Sequence, residues 1–334
     1  MLNKCYCATC IGVEAVVVTV EVDLSTGIGI HLVGLPDSAV RESLLRVVTA
    51  LTSYGFRIPG RKLVVNLAPA DIRKEGSAYD LAIALGLLAV SEQVPLGGME
   101  EFVIMGELAL DGRLRPVNGA LPVALQAKEE GFRGCIFPAS SALEAAEVEG
   151  LEVYGVSTLA EAIGVLSQQE GYETLRVRAG LPEPEFRPSG NDFRQVKGQQ
   201  VAKRGLEIAA AGGHNILLVG APGSGKSLMA SCLPSILPPM SREEAVETGK
   251  IYSVSGRGAP LSGLMRERPF RAPHHSASLV SLIGGGPQAG PGEISLAHNG
   301  VLYLDEIAQF SRGLLDALRQ PLEDGQVTIS RARY

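Results

Sequence analysis

The stretch that most constrains this chain is Gly220-Ala221-Pro222-Gly223-Ser224-Gly225-Lys226-Ser227, which matches the pattern G-x-x-x-x-G-K-[ST]. An apolar run, Ile216–Val219, leads into it and predicts a short, fully buried strand, and a helix is expected to start near Lys226. Strand, glycine-rich turn and helix form the setting in which a backbone can wrap a phosphate. Glycines at 220, 223 and 225 let the chain bend so that successive N–H groups converge on a β-phosphate. The helix start adds its partial positive charge at the same point. Lys226 is expected to reach the β- and γ-phosphates of a nucleoside triphosphate, and the Ser227 hydroxyl to hold Mg²⁺. A chance match in a chain of this length has odds on the order of one in a hundred.

The second half of such a site is an apolar strand ending in acid. Gly300-Val301-Leu302-Tyr303-Leu304-Asp305-Glu306 supplies one. Buried in a central parallel strand, this run would present Asp305 at the carboxyl end, where doubly wound sheets bind ligands. Asp305 is expected to support the Mg²⁺ shell, mostly through water, and Glu306 to orient and deprotonate an attacking water. By itself the run reads equally well as an ordinary strand end; beside the loop it completes a site. Lys226, Asp305 and Glu306 are therefore the predicted catalytic residues, with Ser227 and Asp305 on the metal.

At 334 residues the chain is long enough for two domains, and its 46% apolar and 20% charged residues suit an ordinary globular core. No stretch approaches 18 uncharged apolar residues, so no membrane span is expected. Residues 1–10 lack the apolar core of a secretory signal, and the expected compartment is cytoplasmic. Cys5, Cys7 and Cys10 have a metal-like spacing, but no fourth ligand lies nearby, and they read as strand residues. The net charge of -6 is uneven. Residues 1–170 hold 12 Lys+Arg against 21 Asp+Glu, or -9, and the remainder 18 against 15, or +3. The second half is thus the one expected to face a polyanion.

Residues 171–192, with three prolines, turn residues and charges, are expected to be a linker between a domain over 1–170 and one over 193–334. Before it, Val16–Val22, Lys62–Leu67, Gly134–Phe137 and Val153–Val156 read as strands. Helices are predicted over Ser38–Tyr54, with Val40, Leu44, Val47, Val48 and Leu51 at helical spacing, and over Ala78–Val90, Val117–Glu130 and Thr158–Leu166. After the linker, Gln199–Ala211 reads as a helix.

Four segments together resemble one family: Val196-Lys197-Gly198-Gln199, the phosphate loop, Arg268-Pro269-Phe270-Arg271-Ala272-Pro273-His274-His275, and Pro291 through Gly300. The resemblance is to the magnesium-chelatase-like branch of AAA+ ATPases, and within it to the ComM/YifB group, whose ComM members are competence-associated DNA branch-migration helicases. The N-terminal part is similar to the Lon-protease-like domain of that group. The resemblance implies an α/β fold throughout: a Lon-like domain followed by an AAA+ P-loop core with a central parallel sheet, incomplete at its C-terminus. It implies ATP and Mg²⁺ as cofactors, a ring of copies, a hexamer by expectation, with ATP between subunits, and Val196 and Gly198 near the adenine. The 79 residues from Lys226 to Asp305 fit the insertion that this branch carries in its second helix. Leu282–Pro291 would be the tip of that insertion aimed at the pore, or a flexible surface turn. His274 and His275 read as nucleotide sensors, DNA contacts or structural residues, and a metal site is rejected for want of ligands. Arg266, Arg268 and Arg271 read as contacts to phosphate of DNA or of a neighbouring ATP, or as a solvated face.

A Lon-type peptidase needs a Ser-Lys dyad. Aligned without gaps, the nucleophile position falls on Ala78, with Ser77 where Pro is expected, and the lysine position falls on Leu121, which cannot act as a base. A non-peptidase scaffold that assembles the ring or binds DNA is expected. The chain ends 28 residues after Glu306, whereas the sensor-1 residue, arginine finger and lid of AAA+ proteins come later, so this chain is expected to bind nucleotide but to be nearly inactive. The first functional expectation is an ATP-driven DNA-remodelling motor, a branch-migration helicase acting on single-stranded or branched DNA in transformation and recombination. The alternative is a chelatase-like or protein-remodelling ATPase without DNA.

Overall fold

A computed structural model describes residues 2–178, 191–257, 263–286 and 289–328. The chain divides into two compact units, residues 1–180 with 256–263, and residues 181–255 with 264–334. Both are α/β, as expected. Among the described residues no helix is long and apolar enough to cross a membrane.

The first unit is built on an eight-stranded mixed sheet. Its strands are β1 (Leu2–Ile11), β2 (Glu14–Ser25), β3 (Ile30–Val33), β4 (Lys62–Ala68), β5 (Phe102–Ile104), β8 (Gly134–Pro138), β9 (Glu152–Val156) and β10 (Arg176–Val177), with a separate small hairpin of β6 (Glu107–Leu108) and β7 (Leu114–Arg115). The sheet order is β10-β9-β8-β5-β1-β2-β4-β3. β1 and β2 form a long antiparallel hairpin, Leu2 opposite Asp23 and Ile11 opposite Glu14. β5, β8 and β9 run parallel, joined through α3 (Ala120–Glu129) and α4 (Ala139–Ala145). Val18, Val20 and Val22 of β2 alternate inward and are fully buried.

α1 (Ser38–Ser53) starts where the Asp37 carboxylate accepts from the Val40 N–H at 2.7 Å. α2 (Asp80–Val90) is apolar on all sides and buried nearly throughout. Its Gly86 lies so close to β2 that a Cβ there would fall 2.7 Å from the Val22 side chain. α5 (Leu159–Leu166) is capped by Thr158, which accepts from the Glu161 N–H. Cys5, Cys7 and Cys10 lie in β1, the first two buried, and burial pushes the Cys5 thiol up to about 12.

One expectation needs correction here. The segment expected to begin the linker at Gly171 is folded through Val177: Tyr172–Leu175 is a 3₁₀ turn, and β10 pairs with β9, Arg176 opposite Tyr154. Of the charges that suggested a linker, Glu173 belongs to this 3₁₀ turn and Arg176 to the edge strand. Residues 179–190 lie outside the described residues.

The second unit contains α6 (Gln200–Gly212), α7 (Lys226–Cys232), α8 (Arg242–Ser255), α9 (Leu279–Ile283), α10 (Glu293–Leu296), α11 (Arg312–Ala317) and α12 (Arg319–Asp324). A parallel pair joins β11 (Phe270–Arg271) to β14 (Val301–Leu302), and a hairpin joins β12 (Gly284–Gly285) to β13 (Gly290–Pro291). One core cluster gathers Val196, Leu206, Met229 and Cys232 under α6 and α7; another gathers Leu282, Phe310, Leu314 and Leu318. The run Ile216–Val219, expected as a fully buried strand, forms no strand and has no ladder partner among the described residues. Leu217 and Val219 are 72% and 87% exposed, and only Leu218 packs onto the first cluster. An apolar run makes a strand only where another strand meets it, and the parallel pairing of this unit lies instead between β11 and β14.

Candidate nucleotide site

The glycine-rich loop makes its turn through left-handed backbone at Gly223 (φ +74°) and Gly225 (φ +87°), the second of which caps α7. Lys226 therefore stands at the first turn of α7 with its ammonium beside the loop, donating to the carbonyls of Gly220 at 2.9 Å and Ala221 at 3.0 Å. Met229 and Cys232 on the inner side of α7 anchor it in the core cluster, which leaves Ser227 on the outer side.

The acidic strand end meets this helix. The Ser227 hydroxyl donates to Asp305 Oδ2 at 3.0 Å, and the Tyr303 hydroxyl donates to Ser227 Oγ at 3.3 Å. The Asp305 carboxyl is held below its usual range, first by the Tyr303 hydroxyl and then by Ser227. Hydroxyl and carboxylate oxygens are donors of the kind that Mg²⁺ takes. Residues 301–304 are half-buried rather than central, and Asp305 is exposed. Glu306 follows in left-handed backbone, φ +51°, its N–H donating to Asp305 Oδ1 at 3.0 Å.

Tyr303 was not singled out by the sequence reading; it lies just beyond β14, and its hydroxyl bond to Ser227 is what brings it to the acid. Replacing Tyr303 by Phe should raise the carboxyl titration of Asp305, followed by carbon-13 NMR of the labelled carboxyl group. An unmoved titration would show that Tyr303 does not hold the acid.

Val196 is packed into the core with Met229 and Cys232 rather than lining the loop, while Gly198, at φ +65°, is exposed at the turn into α6. The next residue, Gln199, extends its amide to the Ser224 carbonyl at 3.5 Å. Among the arginines expected at phosphate or solvent, Arg268 and Arg271 are engaged inside the unit. Arg268 donates to the carbonyls of Pro238 and Asn299 and pairs with Glu244 at 2.8 Å. Arg271 pairs with Glu293 through two bonds, at 2.6 and 2.9 Å. The His274 and His275 rings lie against each other at a tilt of 36°, centroids 4.0 Å apart, and the Ser276 N–H donates to His274 Nδ1 at 3.3 Å. Among the described residues no group of three or more His, Cys, Asp or Glu is arranged to hold a metal. The segment read as an insertion tip is the β12–β13 hairpin, tight enough that a Cβ on Gly292 would fall 2.3 Å from the Gly284 nitrogen; Pro287 and Gln288 lie outside the described residues.

In the first unit Ala78 lies in the turn before α2, and Leu121 is buried in α3. The Ser77 hydroxyl donates to Glu107. The ammonium of Lys74 donates to the carbonyls of Pro69 and Ile72, not to Ser77.

Fold and loop together define an α/β protein of the P-loop class. Residues 192–334 match the family model described as magnesium chelatase, subunit ChlI, and residues 20–141 the one described as subunit ChlI of Mg-chelatase. The chain is 46% identical over 325 residues to the uncharacterized protein YifB of Salmonella typhimurium, covering 97% of this chain and 63% of that protein. It is 45% identical over 329 residues to the competence protein ComM of Haemophilus influenzae, covering 98% and 64%. A shorter similarity, 24% over 127 residues, links 38% of this chain to 22% of Lon protease 2 of Bacillus subtilis. The chain belongs to the ComM/YifB family of magnesium-chelatase-like AAA+ proteins. It spans a little under two thirds of the length of these two full-length relatives.

Proposed function

We propose that the chain binds ATP with Mg²⁺ at the loop 220–227 and serves, in a ring of copies, as the ATPase of a DNA-remodelling motor. The observation that carries the nucleotide reading is the Ser227–Asp305 hydrogen bond of 3.0 Å, which brings the helix after the phosphate loop to the acidic strand end. Gly220 to Gly225 would cradle the phosphates, and Lys226 would exchange its two loop carbonyls for β- and γ-phosphate oxygens. Ser227 and Asp305 would hold Mg²⁺, which supplies charge neutralisation at the phosphates when bound. Glu306 would orient a water and take its proton as the water oxygen bonds the γ-phosphorus and the bond to the β-phosphate breaks.

DNA as partner is supported by the 45% identity to a protein named for competence, and the finer reading is branch migration. The chelatase-named family models support the second reading, an ATPase that remodels a protein partner without DNA. The test is the ATPase rate of a chain extended to the relatives' full length, with and without single-stranded and four-way-branched DNA. Several-fold stimulation is expected. A rate indifferent to both DNAs would sink the motor reading and direct the search to a protein partner.

A further inference from the structure

The first unit is the acidic half of the chain, yet no Asp or Glu occurs between Glu42 and Asp71. That interval holds Arg46, Arg57, Arg61 and Lys62. Arg46 is paired with Asp80. Of the other three, Arg57 and Arg61 lie exposed in the loop from α1 into β4 and Lys62, half-buried, opens β4; none of them forms an ion pair among the described residues.

This loop is held in shape. Phe56 N–H donates to the Leu51 carbonyl at 3.0 Å. The Gln93 side chain clips the Arg57 backbone from both sides, accepting from its N–H and donating to its carbonyl, each at 2.8 Å. Gln93 is presented by Glu92, a non-glycine residue in left-handed backbone at φ +53°. Such backbone costs of order 1 kcal/mol or more and persists where the surroundings enforce it. At the other end Lys62 opens β4 opposite Ser25, its stem against Gly27, where a Cβ would lie 3.2 Å away. Two cations on a braced loop and a third at the start of β4, in an otherwise acidic unit and in no ion pair among the described residues, suit a partner that brings its own negative charge.

We infer that Arg57, Arg61 and Lys62 form a contact for the phosphate backbone of nucleic acid, a binding surface on the first unit separate from the nucleotide loop. The inference rests on the DNA-motor reading above and extends it to a second place on the chain. Guanidinium and ammonium groups are the usual partners of backbone phosphates and set position rather than sequence preference.

The experiment compares the whole chain with its Arg57→Gln/Arg61→Gln/Lys62→Gln variant, by fluorescence anisotropy of labelled single-stranded and four-way-branched DNA between 50 and 200 mM salt. The variant should bind about tenfold more weakly at the lower salt. Its slope of log affinity against log salt should be shallower by about 2, at ~0.7 per phosphate contact on single strands. Binding of a fluorescent ATP analogue should be unchanged. If the triple variant fails to fold, Arg61→Gln alone, in an exposed turn, should still flatten the slope by about 1. Equal affinity and slope in wild type and variant would overturn the inference and leave the motor reading standing. Absence of DNA binding by the wild-type chain would overturn this inference, while DNA stimulation of the extended chain would judge the motor reading separately. Loss of binding to polyglutamate without loss of binding to DNA would assign the loop to an acidic protein and likewise overturn it.

Discussion

Replacing Lys226 by Ala should reduce Mg²⁺-dependent binding of an ATP analogue to this chain by about 100-fold, and hydrolysis by a chain of the relatives' full length by about 100- to 1000-fold. The ammonium stands at the mouth of the loop, 2.9 and 3.0 Å from the Gly220 and Ala221 carbonyls, so no rebuilding is needed for it to meet a phosphate. Loss of a positioned charge facing a polyphosphate is felt both in binding and in the transferred group. The fold should be spared. The residue is on the loop side of α7 and outside the core cluster, and substitutions of that kind shift stability by only about 0.5 kcal/mol. Lys226→Arg should rescue little, since a planar fork cannot replace a point charge in a cradle of backbone. Undiminished analogue binding by Lys226→Ala, measured by fluorescence titration, would refute the nucleotide assignment.

The second large effect belongs to the first unit. Arg46→Ala should destabilise it by about 3–5 kcal/mol at pH 7, the cost of leaving a buried charge without its partner. The Asp80 side chain has no solvent exposure, and Arg46 grips it twice, at 2.7 and 3.0 Å, while the Leu108 N–H donates to the same carboxylate at 3.1 Å. The pair thereby ties α1 to the start of α2 and to β6. Burial pushes the Asp80 carboxyl up to about 6, against the pull of Arg46. Because the folded value lies above the unfolded one near 4, the folded chain binds the proton more tightly, and stability falls as pH rises from about 4 to 6. Without Arg46 that fall should steepen. The deficit of the variant should therefore be largest at pH 7 and shrink towards pH 4, where a neutral carboxyl needs no counter-ion. Denaturant unfolding at the two pH values measures it, and a deficit independent of pH would show that lost packing, not the unpaired charge, is responsible.

What could be read from the sequence was local. The phosphate loop is eight consecutive residues, and α1 announces itself through Val40, Leu44, Val47 and Leu51 at the helical period. β2 and β4 followed from their β-branched runs. What could not be read was who meets whom. Nothing near Tyr6 predicts that it stands opposite Val103, nor does anything near Arg268 or Arg271 name Glu244 and Glu293 as partners. Those arginines read as phosphate contacts or as a solvated face because an unpaired cation and a paired one have the same sequence. Ile216–Val219 went wrong for the same reason: an apolar run names no partner, and a ladder depends on a strand elsewhere.

The turn at Glu306 sets stability against chemistry. With φ at +51°, its backbone occupies a region that glycine enters without strain and a glutamate enters at a cost on the order of 1 kcal/mol. Glycine would relax the turn and remove the carboxylate proposed to act on water. Selection for heat resistance alone would thus drift towards the residue that silences the site. Keeping a glutamate there is a standing burden on the fold, one that an organism has reason to carry only while the reaction is in use.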